Sequence, residues 1–432
     1  MRIAIVGTGV SGLVSAALLA RAHEVTVFEA DERIGGHTHT HQVERHGRTY
    51  AIDTGFIVFN ERTYPNFIRL LELLGVASHA TEMSFSVRDE RSGLEYNGTD
   101  LNRLFAQRRN LLRPSFLRMV RDILRFYREA PALLAGDDES LTLGAYLTRG
   151  GYSHSFNEQY LVPMGSSVWS ADPRLMLDFP ARYLVQFFAN HGFLTVNDRP
   201  RWRVVSGGSQ SYLAPLSRGI GDRIRRRAAV QQIVRRRDGV RVSAWGSEPE
   251  RFDAVVIAAH SDQALAMLGD ARPAEREILG AIPYQRNEAV LHTDARLLPR
   301  RRLAWAAWNY HVLEGGPAAA TVTYNMNILQ GLDAPEPFCV TLNRSAAIDP
   351  ATVIARMTYH HPVYTRATVA AQRRWAEING VERTYFCGAY WGYGFHEDGV
   401  RSALAVAQRF GLGLDDLRGE AASAGAPAAG AA

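Results

Sequence analysis

The chain has 432 residues, 46% hydrophobic and 22% charged, a composition that fits a globular protein long enough for two cores. All 49 of its basic residues are arginine, so the formal charge of +5 is carried without a single lysine, and any mechanism that needs a lysine amine is excluded. Two cysteines, Cys339 and Cys387, rule out a disulfide framework. No apolar run is long enough to span a bilayer, and Met1 leads straight into a strand, so the expectation is a cytoplasmic protein.

In chain order, 2–6 reads as a short buried strand, followed by Gly7-Thr8-Gly9-Val10-Ser11-Gly12 and an apolar run, 13–19, that predicts a helix. Gly7 permits the tight turn, Gly9 the approach of a pyrophosphate, and Gly12 close packing of helix on strand. Val10 and Ser11 sit at the helix N-terminus, where the phosphate charge belongs. A second strand, 24–28, ends in Glu29-Ala30, twenty residues past Gly9, where a carboxylate can accept from a ribose diol. Strand, glycines, helix, strand and acid in register predict a dinucleotide-binding unit.

Two further motifs follow: Arg33-Ile34-Gly35-Gly36-His37-Thr38 and Asp53-Thr54-Gly55-Phe56. With them the chain resembles the flavin-containing amine oxidoreductase family, which includes amine oxidases, protoporphyrinogen oxidase and phytoene-type desaturases. The resemblance implies an α/β fold, α+β overall. A Rossmann-like FAD-binding domain, discontinuous in sequence, would be interleaved with a substrate domain of mixed sheet and helices. It also implies that Glu29, Ala30, Arg33, Gly35, Gly36, His37 and Thr38 serve the adenosine and pyrophosphate of a non-covalent FAD. Gly55 and Phe56 would lie against the isoalloxazine. His37 departs from the pattern, since many members carry a second arginine there.

The later segments read as returns of the FAD domain. Gly207-Gly208-Ser209 precedes an amphipathic stretch, 212–220, and 230–233 pairs with 240–242 through Asp238-Gly239 as a hairpin. By resemblance, the Val230 backbone meets the adenine. A buried strand, 252–259, ends at His260. A last strand, 384–388, leads through Gly388 and Ala389 into Gly392-Tyr393-Gly394-Phe395-His396-Glu397-Asp398-Gly399 and a helix, 400–410. In the family this helix points its N-terminus at flavin N1/O2. Asp398, Gly399, Val400 and Ser402 match the positions that do so; Ala389 replaces an acid common in relatives. The expected division is 1–75, 196–265 and 381–418 for FAD, 76–195 and 266–380 for substrate, and a disordered tail, 419–432.

His37, His39 and His41 alternate, which would place them on one face of a strand, but no carboxylate or cysteine stands at ligand spacing; no metal site is expected. His360 and His361 read as structural. His396 stands before the flavin-facing helix, either as a proton acceptor beside the substrate or as a hydrogen-bonding group for the flavin or the backbone. Glu397 is the other catalytic candidate. Segment 115–128 sets arginines among apolar residues at helical spacing: a lobe helix with a solvated arginine face, or a peripheral contact with an anionic membrane at its inner face. Dispersed charge without a recognised motif argues against nucleic acid.

Three functions compete. The first is a desaturase or dehydrogenase taking hydride from an apolar substrate onto flavin N5. The second is a flavin amine oxidase acting on a small amine, and the third a flavoprotein whose FAD is structural or sensing. Amine oxidases of this family characteristically hold a lysine at N5, which this chain cannot supply. The aromatic and amide residues around Trp169, Asn190-His191, Trp202 and Tyr324-Asn325 suit a wide apolar pocket. With the 394–399 loop they resemble a bacterial branch of predicted NAD/FAD-binding proteins associated with methyl-fatty-acid enzymes. That implies desaturation of a methylated fatty-acyl chain of a phospholipid, on the route to furan fatty acids.

Overall fold

The computed structural model of the chain describes residues 1–136, 138–315 and 319–420. Leu414–Glu420 forms a final 3-10 turn, and from residue 421 onward the expected tail lies outside the described residues.

Five parallel strands form the sheet that carries the nucleotide motifs. In order across the sheet they are Ile224–Arg225, Glu24–Phe28, Arg2–Val6, Ala254–Ile257 and Thr384–Phe386. The central strands are continuous apolar runs because both faces of the sheet are covered. Ile3 and Ile5 pack with Ala16, Leu19 and Val406 from the helices Val10–Leu19 and His396–Ala407. Ala4 and Val6 pack on the opposite face with Ile233, Val242 and Phe252. Those residues belong to an antiparallel layer, Val230–Arg236, Gly239–Ala244 and Glu250–Phe252, whose first two strands form the expected hairpin.

The strand expected over 252–259 is two strands in two sheets. Phe252 pairs antiparallel with Val240, whereas Ala254 pairs parallel with Ile3. Asp253 makes the switch: its N–H donates to the Arg2 carbonyl and its carboxylate accepts the Arg2 N–H, at 2.7 and 2.8 Å.

A second, seven-stranded mixed sheet runs Val353–Pro362, Tyr284–His292, Cys339–Leu342, Val322–Asn325, Trp308–Val312, Phe85–Asp89 and Leu94–Asn97. Its largest core is shared with the helices Pro114–Glu129, Val162–Trp169 and Ala181–Asn190. A separate three-stranded sheet pairs Trp202–Val205 with Val58–Asn60 on one side and Ser78–Thr81 on the other. Helix Pro273–Gly280 also joins the nucleotide side, where Ile278 and Leu279 enter the core with Ala4 and Val6.

Candidate active site

The phosphate loop divides its glycines between packing and open space. A Cβ on Gly12 would stand 2.0 Å from the Gly7 carbonyl oxygen, whereas one on Gly9 would meet nothing within 4 Å. Gly12 therefore closes helix against turn, and Gly9 faces open space at the start of the first helix. The last long helix comes alongside it. Ser11 Oγ donates to the Gly399 carbonyl at 2.9 Å, and a Cβ on Gly399 would stand 2.6 Å from Val10. Val400 is fully buried with Val10 and Leu13, and Ser402 Oγ accepts from the Gly388 N–H at 2.9 Å, next to the turn that starts at Ala389. Two helix N-termini thus lie side by side, and their unpaired N–H groups favour negative charge there.

Glu29 is held by the N–H groups of Thr8 and Asp31, at 3.0 and 2.9 Å, and by the Thr8 hydroxyl. After Ala30, the Ala228 N–H donates to the Glu29 carbonyl at 2.8 Å, which brings Val230 to the same end of the sheet. Gly35 and Gly36 take φ +113° and +58°, values that favour glycine. Arg33 braces that turn, donating to the carbonyls of Gly36 and Thr38 at 2.7 Å each. Phe56 N–H closes the adjoining turn onto the His37 carbonyl at 2.8 Å, and Gly55 passes so close to that carbonyl that a Cβ would stand 2.1 Å away.

His396 lies at the centre of the arrangement. Its ring stacks on Phe56 at 3.5 Å, and its Nε2 faces the hydroxyls of Thr38 and Tyr212 at 3.0 and 3.1 Å. Burial pushes its pKa down to about 3, so the ring is neutral at pH 7. The hydroxyls of Thr38 and Tyr212 hold the neutral ring in place. Glu397 lines a cavity beside the loop that precedes it and is held by a neighbouring helix. It accepts from Asn66 N–H, Asn66 Nδ2 and Phe67 N–H at 3.3, 2.6 and 2.9 Å, capping the helix Pro65–Leu73. These donors engage both carboxylate oxygens. Asp398 accepts from the N–H groups of Tyr393 and Phe395 and from Arg401, fixing the loop before its own helix; burial raises its pKa to about 6.

The alternating histidines do not share a strand face as expected, because His37 belongs to the turn before the strand Thr40–Arg45. Its ring lies 5.0 Å from Tyr359, 5.5 Å from His361 and 5.9 Å from His260, and its Nε2 is buried without a partner. Burial, then the neighbouring His361 and His260, hold its pKa well below the usual value. Among the described residues no group of three His, Cys, Asp or Glu side chains is placed to hold a metal.

Two features escaped the sequence reading. Asp53 is buried, with its pKa raised to about 6 by desolvation. It accepts from Thr40 Oγ1, Ser209 N–H and Oγ, and Gln330 Nε2, tying the Gly55 turn to three distant segments. The second feature is an aromatic box. Tyr183 lies 5.4 Å from Tyr364 and 4.7 Å from Tyr393, Trp169 4.7 Å from Phe187, and Phe187 5.3 Å from Phe395. Trp169 Nε1 and the Tyr183 hydroxyl donate to the carbonyls of Tyr393 and Gly392, so the box grips the loop that leads into the helix beginning at His396. A cavity of about 580 Å³ opens beside it, lined by Tyr64, Tyr393 and Phe395 together with Asn66, Asn190, His191 and the charged Arg62, Glu397, Asp398 and Arg401.

The sequence profile of flavin containing amine oxidoreductases matches residues 10–292, well over half of the chain. The protein belongs to that family. Its cofactor is FAD, and it is a flavin-dependent oxidoreductase. The residues in place fit the cofactor: open space beside Gly9, paired helix N-termini for a pyrophosphate, the Glu29 carboxylate for a ribose, and the unpartnered His37 Nε2. A 103-residue stretch is 36% identical to tryptophan 2-monooxygenase of Allorhizobium ampelinum, a match spanning 23% of this chain and 14% of that protein. Cyclohexylamine oxidase from Brevibacterium oxydans IH-35A aligns at TM-score 0.68 and 17% identity over 95% of this chain and 99% of its own. The CLA-producing fatty acid isomerase from P. acnes also gives TM-score 0.68, at 16% identity over 95% and 98%. At these identities the likeness is one of fold, and it is equal for an amine-named and a lipid-named enzyme.

Proposed function

We propose that the protein is an FAD-dependent dehydrogenase that removes two hydrogens from adjacent carbons of an apolar substrate, in the class of a methylated fatty-acyl chain. The aromatic box of Trp169, Tyr183, Phe187, Tyr364, Tyr393 and Phe395 carries this reading, because it sets apolar walls against the loop that leads to the flavin-facing helix. Such walls recognise a hydrocarbon by burying its surface. The lack of lysine in the whole sequence points the same way.

FAD, when bound, would supply a two-electron acceptor for a hydride from one carbon, while the second hydrogen would leave the neighbouring carbon as a proton to solvent water. The chain's own residues position and exclude. The helix pair at Ser11 and Gly399 favours negative charge, and neutral His396, held by Thr38 and Tyr212, adds a hydrogen-bonding group without competing positive charge. Phe56 and Phe67 shield that ring from water. Anaerobic mixing of the yellow protein with methylated acyl lipids and, separately, with small amines tests the reading. Lipid is expected to bleach the flavin; bleaching by amine alone would replace this proposal with amine oxidation.

A further inference from the structure

Positive charge is distributed very unevenly along this chain. Residues 101–128 hold eight arginines and one acid, Asp122, which leaves 41 arginines against 43 acids over all the rest. The whole excess of positive charge thus lies in one short segment of the helical lobe. The single acid does not face outward, because Asp122 is buried and accepts the Ser153 N–H at 3.0 Å.

The same segment exposes its leucines. The helix Pro114–Glu129 turns Phe116, Met119 and Phe126 into the core. On the opposite side Leu117, Arg121, Leu124 and Arg128 fall in one stripe by the 3.6-residue period. Leu117 is 44% exposed and Leu124 54%, and Leu112, in the turn that precedes the helix, is 88% exposed. Several of the arginines are engaged: Arg113 reaches the Ser92 carbonyl, Arg125 and Arg128 reach Glu129, and Arg108 and Arg109 reach nearby carbonyls. Arg118 and Arg121 have no hydrogen-bond or ion-pair partner among the described residues. Apolar tips interleaved with uncompensated guanidinium groups form a surface suited to the acyl–headgroup boundary, where leucine enters the hydrocarbon and arginine meets phosphate.

We propose that this face of the lobe, centred on Leu112, Leu117, Arg118, Arg121 and Leu124, docks the protein on an anionic lipid bilayer. Charge complementarity selects that occupant, because a second copy of the chain would bring the same arginines against its own. The inference rests on the lobe surface and holds whatever substrate the flavin oxidises. The helix Ala181–Asn190, which supplies Tyr183 and Phe187 to the aromatic box, belongs to the same lobe and shares its core.

Flavin-loaded protein sedimented with phosphatidylcholine vesicles, with and without phosphatidylglycerol, provides the test. Binding is expected only with phosphatidylglycerol and is expected to weaken with added salt. The double variant Arg118→Ser/Arg121→Ser should bind on the order of tenfold to thirtyfold more weakly, from about 1 kcal/mol per basic residue at an anionic surface. The triple variant Leu112→Ser/Leu117→Ser/Leu124→Ser should lose binding as well. All five side chains are exposed, so flavin content and thermal unfolding should stay at wild-type values and certify the fold. Failure to sediment with either vesicle, equal binding to both, or wild-type binding by the arginine variant would overturn the proposal. So would concentration-dependent self-association, in the absence of lipid, that the leucine variant abolishes, since it would give the face to a second copy. Reduction of the flavin by a dissolved substrate is read separately and is unaffected by any of these outcomes.

Discussion

Valine at position 9 separates cofactor binding from folding. Gly9 has φ −63° and ψ 177°, an extended conformation open to any residue, and a Cβ there meets no protein atom within 4 Å. For the cofactor-free protein two small effects offset each other. Loss of chain entropy in the unfolded state stabilises by about 0.4–1 kcal/mol, while a poorer helix N-cap costs a comparable amount. Net stability should therefore change by less than about 1 kcal/mol. The inserted carbons instead occupy the approach of the FAD pyrophosphate. Overpacking of this kind costs roughly 1–3 kcal/mol, which is about fivefold to 150-fold weaker retention. Gly9→Val should purify folded and colourless, with a cofactor-free urea midpoint close to wild type. Gly12→Ala provides the contrast: its Cβ would collide with the Gly7 carbonyl oxygen, so that chain should fail to fold. Wild-type flavin absorbance in Gly9→Val would refute the assignment of this loop.

Acid precipitation should release all the flavin into the supernatant, because Cys339 and Cys387 are buried free thiols and burial pushes the Cys387 pKa up to about 12; a yellow pellet would contradict a non-covalent cofactor. His396→Gln should reduce its flavin at close to the wild-type rate, since glutamine keeps a hydrogen-bonding group beside Thr38 and Tyr212; a hundredfold loss would restore the ring to proton transfer. The same variant should change the response to acid. The unfolded chain protonates this histidine below its ordinary 6.5 and the folded protein only below about 3. Its contribution is therefore complete above pH 6.5 and falls by roughly 1.4 kcal/mol per pH unit on acidification. Urea midpoints at pH 7 and pH 5 should differ less in the variant; equal slopes would contradict the burial argument. Glu275→Leu should destabilise by roughly 3–5 kcal/mol in urea unfolding, because it strips a buried carboxylate from the buried Arg235; a change under about 1 kcal/mol would show that Asp270 suffices.

The nucleotide half was legible because its chemistry is local. A phosphate loop needs small residues at fixed offsets from a strand and a helix, and Gly7, Gly9, Gly12 and Glu29 occupy those offsets over fewer than thirty residues. The return at Gly388 to Ser402 was legible for the same reason. What the sequence hid depends on distant partners. Glu397 read as an acid beside the substrate, yet its donors, Asn66 and Phe67, lie some 330 residues away and make it a helix cap. The apolar run 252–259 read as one strand because hydrophobicity does not register the change of sheet at Asp253. The aromatic box draws on residues from Trp169 to Phe395 with no shared period, and only the packing of the lobe on the 392–395 loop brings them together. Asp53 stood in a recognised motif, but its work with Ser209 and Gln330 follows from the meeting of three segments that no local pattern links.

The proposed reaction removes two hydrogens from an apolar chain. Mass spectrometry of a methylated acyl phospholipid, after anaerobic incubation with an excess of the flavin-loaded protein, tests it most directly. Conversion to a species lighter by two hydrogens is expected, in proportion to the flavin bleached, with no such product from Gly9→Val. Unchanged lipid mass with the flavin still oxidised, while a small amine under the same conditions yields its imine or aldehyde, would contradict it.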